Sequence, residues 1–220
     1  MGDRRIEKGW DRYYEQYERR EPRAEAREAV DKLAADGAPL ESKTALEVAA
    51  GSLKESDYFL ERGIGRVIAT DRTDGAENRS MHLALKYNHD IDRFDFEKIA
   101  NEDLATRLNP ASLDLVASYF GLPFTHPDKF PELWHSLVDS LRPGGVLSVT
   151  LFGMHDGWHR LHSHGMAFHA REEVESLLEQ FPDAEINESE YDGLVSDGSV
   201  KHWHVYRILG VKSSQTSQTP

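Results

Sequence analysis

No cysteine occurs in the 220 residues, which excludes disulfides, thiolate metal ligands and a cysteine nucleophile. Long apolar runs are missing too. No segment reaches the roughly 18 consecutive apolar residues of a membrane-spanning helix, and residues 1–7 are polar where a secretory signal would be apolar. Basic charge is scarce, with 26 Lys and Arg against 39 Asp and Glu and no Lys/Arg-rich block, so the surface field repels phosphate backbones and anionic head groups. These absences predict a soluble, cytoplasmic protein that engages neither nucleic acid nor membrane, and they leave its oligomeric state open.

What is present is an ordinary globular composition, 39% hydrophobic and 30% charged, in a chain long enough for one sizeable core. Residues 10–35 are charged helix formers interrupted by Pro22, which predicts two short helices, the second opening near that proline. Asp36, Gly37, Ala38 and Pro39 supply stop and turn chemistry. Strand-like apolar runs then recur at residues 45–49, 67–70, 113–119 and 146–152, and helices are predicted at 54–62, 76–87 and 130–141. This alternation predicts an α/β fold, a Rossmann-like doubly wound and mostly parallel sheet. After Phe152 come a His- and Gly-rich loop, a helix at 171–180, and strands at 184–191 and 202–209 that form an antiparallel hairpin on the sheet edge. The expected organisation is an N-terminal helical lid segment (1–39), a main domain (40–211) and a disordered Ser/Thr/Gln tail (212–220).

A strand ending at Val48, a turn containing Gly51 and a helix starting near Lys54 would put backbone amides and a helix N-terminus at the sheet's carboxyl edge, where ligands bind. Gly51 lets the backbone approach a ligand, and Glu47 can accept hydrogen bonds from an ammonium group. Asp71, 20 residues beyond Gly51, can accept both hydroxyls of a ribose. Each feature alone also fits a turn glycine or a helix cap. Their order carries more: Glu47, Gly51, Asp71, then Asp95-Phe96, then Asp114 before one strand and the Leu141-Arg-Pro-Gly-Gly segment before another.

In that order these residues, from Trp10 to Val211, resemble class I S-adenosylmethionine-dependent methyltransferases, and in particular the tellurite-resistance-like group that acts on small molecules. ALEVAAGSLKESDYFLERG stands for the family's glycine-rich first motif. Glu47, Ala49, Gly51 and Leu53 occupy the positions of its acidic residue and three alternate glycines, so two of the three glycines are replaced. The resemblance implies transfer of a methyl group from S-adenosylmethionine to a small-molecule acceptor. It places Glu47 and the turn from Ala49 to Leu53 at the methionine end, Asp71 with Arg72 at the ribose, Asp95 and Phe96 at the adenine, and Ser118, Tyr119 and Phe120 beneath the methyl group. The segment with Asp95 and Phe96 also reads as a plain polar turn. Trp10, Tyr13 and Tyr14 share a helix face, either as packing or as an aromatic lid in which Tyr14 touches the cofactor.

Methyl transfer needs positioning and water exclusion more than a catalytic dyad, and no dyad is visible. Candidate bases are Tyr119, His155, His159 and His169, three of them in the loop HDGWHRLHSHGMAFH. Five histidines in one loop raise the question of a metal. Their spacing matches no HExxH pattern and no metal is expected; solvent-exposed, structural or substrate-contacting roles are the alternatives. Phe124, Phe130, Trp134 and Trp158 could wall a flat acceptor or belong to the core. Two further readings stay open, a methyltransferase-like binding or scaffold protein without turnover and, in the absence of GxGxxG, a nicotinamide-dependent oxidoreductase.

Overall fold

Seven strands form one sheet in the order β3-β2-β1-β4-β5-β7-β6. They are β1 (Thr44–Val48), β2 (Arg66–Asp71), β3 (Phe94–Lys98), β4 (Leu113–Ser118), β5 (Leu141–Phe152), β6 (Glu185–Leu194) and β7 (Val200–Val211). The computed structural model describes Tyr14 and residues 20–89, 92–195 and 198–214. The first five strands pair in parallel, while β7 runs antiparallel to both β5 and β6. The fold is therefore the doubly wound, mostly parallel sheet with an antiparallel hairpin that the alternation of strand and helix patterns predicts.

Central strands must be apolar on both faces, and β4 is buried along its whole length. On one face Ala45, Val67, Leu115 and Ala117 meet Ala26, Val30, Phe59 and Leu60 of helices Ala24–Ala34 and Lys54–Glu61. On the other, Leu46, Val116, Leu147 and Val149 meet Phe130, Leu133, Trp134 and Leu137 of helix Phe130–Ser140. Phe130 and Trp134 thus belong to the core. Their rings stack at 5.8 Å and the Trp134 indole donates to the Leu177 carbonyl at 3.1 Å, which removes both from an acceptor pocket.

Four further sequence expectations are revised. The segment around Asp95 is the edge strand β3, with Phe94 buried; an edge position tolerates its alternating charges, which is why it reads as a loop. The helix expected to open near Pro22 starts at Ala24, because Arg23 is still extended and directs its amide at Glu55, 3.4 Å away. The hairpin strands run further toward their turn than the Gly- and Ser-rich composition suggests, to Leu194 and from Val200. His202 holds the extension in place, 2.9 Å from Asp192 and 3.1 Å from Glu190. Finally, Lys212 and Ser213, read as the start of a tail, are bonded to Gly145 and Gln180 through their amides at 2.8 and 2.9 Å.

Trp10 and Tyr13 lie outside the described residues. Among the described residues, no helix is long and apolar enough to cross a membrane.

Candidate active-site cleft

The strand order reverses between β1 and β4, since β2 and β3 lie to one side and β5 to the other. Loops leaving the carboxyl ends of two such strands diverge and open a crevice. A cleft of about 950 Å³ occupies that point, at the upper end of the roughly 300–1,000 Å³ of small-ligand sites.

One half is polar and acidic, lined by Glu47, Gly51, Glu55, Asp71, Arg72 and Glu102. The turn after β1 is left-handed at three alternate residues, with φ of +54° at Ala49, +52° at Gly51 and +60° at Leu53. The backbone thus takes the conformation that favours glycine at all three positions, although only Gly51 is one. Leu53 is held there by complete burial. The Gly51 amide donates to Asp71 at 2.9 Å, and the other Asp71 oxygen accepts from the Thr73 amide at 2.9 Å and hydroxyl at 2.7 Å. The Tyr14 ring covers Gly51 so closely that a Cβ there would lie 2.7 Å from its Cε1.

Glu47 is buried and accepts the Ser56 hydroxyl. Burial pushes its carboxyl well above the ordinary carboxylate range, and the neighbouring Glu55 and Asp71 charges add to the rise. Glu55 is also raised by burial, against the opposing pull of Arg23. This half of the cleft therefore crowds carboxyl groups whose ionisation a bound cation would favour.

The other half is aromatic. Phe120, Phe124, Phe152, Trp158 and Trp203 line it together with Met166. Asn101 closes the floor by donating to the Gly121 carbonyl at 3.2 Å and to the Thr125 hydroxyl at 3.0 Å.

Of the residues singled out in the sequence, Tyr14, Glu47, Ala49, Gly51, Asp71, Arg72 and Tyr119 line this one cleft, as do Phe120, Phe124 and Trp158. Leu53 and Ser118 lie just beneath it, Ser118 donating to the Val48 carbonyl at 2.9 Å. Asp95 and Phe96 do not belong to it. Asp95 pairs with Arg66 at 2.6 Å in the first half of β3 and, with Phe96, borders a separate cavity; the carboxyl end of that strand delivers Asn101 and Glu102 to the cleft instead.

His155 and His159 are also elsewhere. His155 is exposed and 2.9 Å from Glu190, and His159 packs on Phe168 with ring centroids 5.2 Å apart. His169 packs against Phe130 at 4.5 Å and its Nε2 is buried without a partner; burial lowers its pKa. From that loop it is His162 that reaches the cleft. The Tyr119 hydroxyl donates to Ser148 at 3.1 Å, and burial pushes it well above the ordinary phenol range, so it cannot serve as a base near neutral pH.

Outside the cleft, His155, Glu190 and His204 bring potential metal-ligand atoms within 4.8 Å of one another. Both His204 nitrogens are already engaged, Nδ1 accepting the His155 amide at 3.1 Å and Nε2 lying 2.9 Å from Glu188.

No protein-family profile matches the chain. A malonyl-[acyl-carrier protein] O-methyltransferase from Prosthecochloris aestuarii is 28% identical over 152 residues, covering 67% of this chain and 54% of the relative. The chain thus aligns with about half the length of that curated relative. Among solved structures, TehB from Haemophilus influenzae superposes with a TM-score of 0.65 at 15% identity, covering 84% of this chain and 62% of TehB. The 1,6-didemethyltoxoflavin-N1-methyltransferase of Burkholderia thailandensis, with 1,6-didemethyltoxoflavin and S-adenosylhomocysteine bound, gives 0.57 at 20% identity and covers 87% of this chain and 79% of its own. The chain has the class I methyltransferase fold. Within that fold the acidic half of the cleft follows β1 and β2, and the aromatic half is built by the ends of β4 and β5 with β7.

Proposed function

We propose that the protein transfers a methyl group from S-adenosylmethionine to a small-molecule acceptor, with the cofactor in the acidic half of the cleft. The supporting observation is the pairing of Gly51 with Asp71 across the turn after β1, beside the buried and electrostatically crowded Glu47.

The residues fit the group. Gly51, having no side chain, admits the Tyr14 ring over the turn, and Asp71 spends three of about four acceptor sites on Gly51 and Thr73, leaving Oδ2 able to take a ribose hydroxyl. Glu47 and Glu55 supply carboxyl groups that a bound ammonium and sulfonium would hold ionised. Bound there, the cofactor supplies an electrophilic methyl group. The chain supplies position and dryness: Tyr14 covers the turn, and the rings of Phe120, Phe124 and Phe152 keep water from the acceptor side. His162 lines the rim of the cleft and would take the proton of a neutral acceptor.

A binding protein without turnover is the second reading, favoured by Tyr14 seated on Gly51 and by the side chains at Ala49 and Leu53. Incubation with methyl-labelled S-adenosylmethionine and a small-molecule extract separates the two. Labelled product supports transfer; saturable cofactor binding with no labelled product supports binding alone.

A further inference from the structure

Four of the rings in the aromatic half, Phe120, Phe124, Trp158 and Trp203, are only half-buried, although they pack against the buried Phe152 and Met166. A collapsed core would close over them. Here they remain accessible along one wall of the cleft. Phe152 stands edge-to-face to Phe120, Phe124, Trp158 and Trp203 at centroid distances of 6.0, 6.5, 6.2 and 5.8 Å, and Phe120 meets Trp203 at 5.8 Å and Phe124 meets Trp158 at 6.0 Å, so the rings brace one another and what they leave open is the side that faces the cleft, against which a further ring can pack.

Charge decides which ring. The Lys201 ammonium lies 4.5, 3.9 and 3.9 Å from the Phe152, Trp158 and Trp203 centroids and pairs with the fully buried Asp156. One face of each of these rings is thereby taken by a cation, which draws their π density away from any second cation. The Arg23 guanidinium lies 4.8 Å from the Phe120 centroid, and Arg207 also lines the cleft; each is paired, Arg23 with Glu55 at 3.8 Å and Arg207 with Glu25 at 2.8 Å. A cationic guest thus finds ring faces already taken by cations, whereas a neutral or anionic ring meets no such competition.

We infer that the methyl acceptor is a planar aromatic or heteroaromatic small molecule, neutral or anionic, laid against the cleft-facing side of the wall that Phe120, Phe124, Trp158 and Trp203 form. The inference rests on the methyl-transfer reading of the cleft and names the substrate class for it.

Calorimetric titration with naphthol, naphthoate, octanoate and phenyltrimethylammonium, with and without S-adenosylhomocysteine, tests it. Naphthol and naphthoate should bind, and at least about tenfold more tightly than octanoate or the cation. Trp158→Leu should weaken naphthoate about tenfold while leaving S-adenosylhomocysteine affinity unchanged, and Phe124→Leu provides the same reading should Trp158→Leu misfold. Octanoate or phenyltrimethylammonium binding as well as naphthoate, or naphthoate binding unaffected in both variants, would overturn the inference. Loss of S-adenosylhomocysteine binding alone would strike the cofactor reading and leave the ring site standing on its own titration.

Discussion

The amide of Gly51 donates to the Asp71 carboxylate at 2.9 Å, so the turn after β1 is fastened to the end of β2 by the same group that would meet a ribose. Structure and binding are therefore coupled at one side chain. Asp71→Ala should abolish the thermal shift caused by S-adenosylhomocysteine and, by orphaning the Gly51 and Thr73 donors, also cost about 1–3 kcal/mol of stability. Thermal and urea unfolding with and without ligand measure both effects.

Glu47 yields the opposite pairing of effects. Because burial and the nearby Glu55 charge raise its folded pKa, the folded state holds this proton more tightly than the unfolded chain. Stability from this group is present below the ordinary carboxylate pKa and is lost as pH rises toward the folded value. Glu47→Gln should therefore raise the melting temperature of the ligand-free protein at pH 7 to 8. It should also weaken cofactor binding by about tenfold or more, through loss of a charged acceptor. Unfolding at two pH values and calorimetry check the two halves separately.

Relief of the left-handed turn can be tested at Ala49. Ala49→Gly should stabilise the protein by about 0.5–1 kcal/mol, since φ of +54° strains an L-residue but not glycine. Leu53→Gly should destabilise it by about 2–5 kcal/mol, because the loss of a fully buried side chain outweighs the same relief. Urea unfolding midpoints give both numbers.

The hairpin carries a pH dependence of its own. Hydrogen bonds to Asp192 and Glu190 raise the His202 pKa, so its contribution is full below the ordinary histidine value of 6.5 and is lost as pH rises through the raised folded value. Glu190, pushed down to about 2 by His155 and His202, stays ionised across that range. After correction for intrinsic exchange rates, amide protection around Tyr191 and Trp203 should fall from pH 6 to pH 8 in the wild type and show no such step in His202→Gln.

The fold was legible in the sequence because the central strands are apolar on both faces and alternate with helical patterns; β1, β2, β4 and β5 and their helices fall within a few residues of the predicted spans. β3 was not, because an edge strand carrying Asp95 and Glu97 has the polarity of a loop. The sequence therefore points to Asp95 and Phe96, which do not line the cleft, where the residues that do are Asn101 and Glu102, beyond the carboxyl end of that strand. The acidic half of the cleft was legible from order along the chain, since Glu47, Gly51 and Asp71 sit at strand ends. The aromatic half was only partly so. Phe120, Phe124 and Trp158 stand out in the local sequence, but Phe152, Trp203 and Lys201 come together through the antiparallel pairing of β7 with β5, which no local pattern encodes. The loop histidines follow the same rule: His155 and His159 are nearest the strand in sequence, yet the chain turns them to the hairpin and to Phe168 and brings His162 to the rim.

If the acidic half of the cleft holds S-adenosylmethionine through Asp71 and Glu47, calorimetric titration of the folded protein with S-adenosylhomocysteine gives saturable binding at one site per chain, lost in Asp71→Ala and weakened in Glu47→Gln. No binding at millimolar ligand, or equal affinity in all three proteins, would contradict that placement of the cofactor.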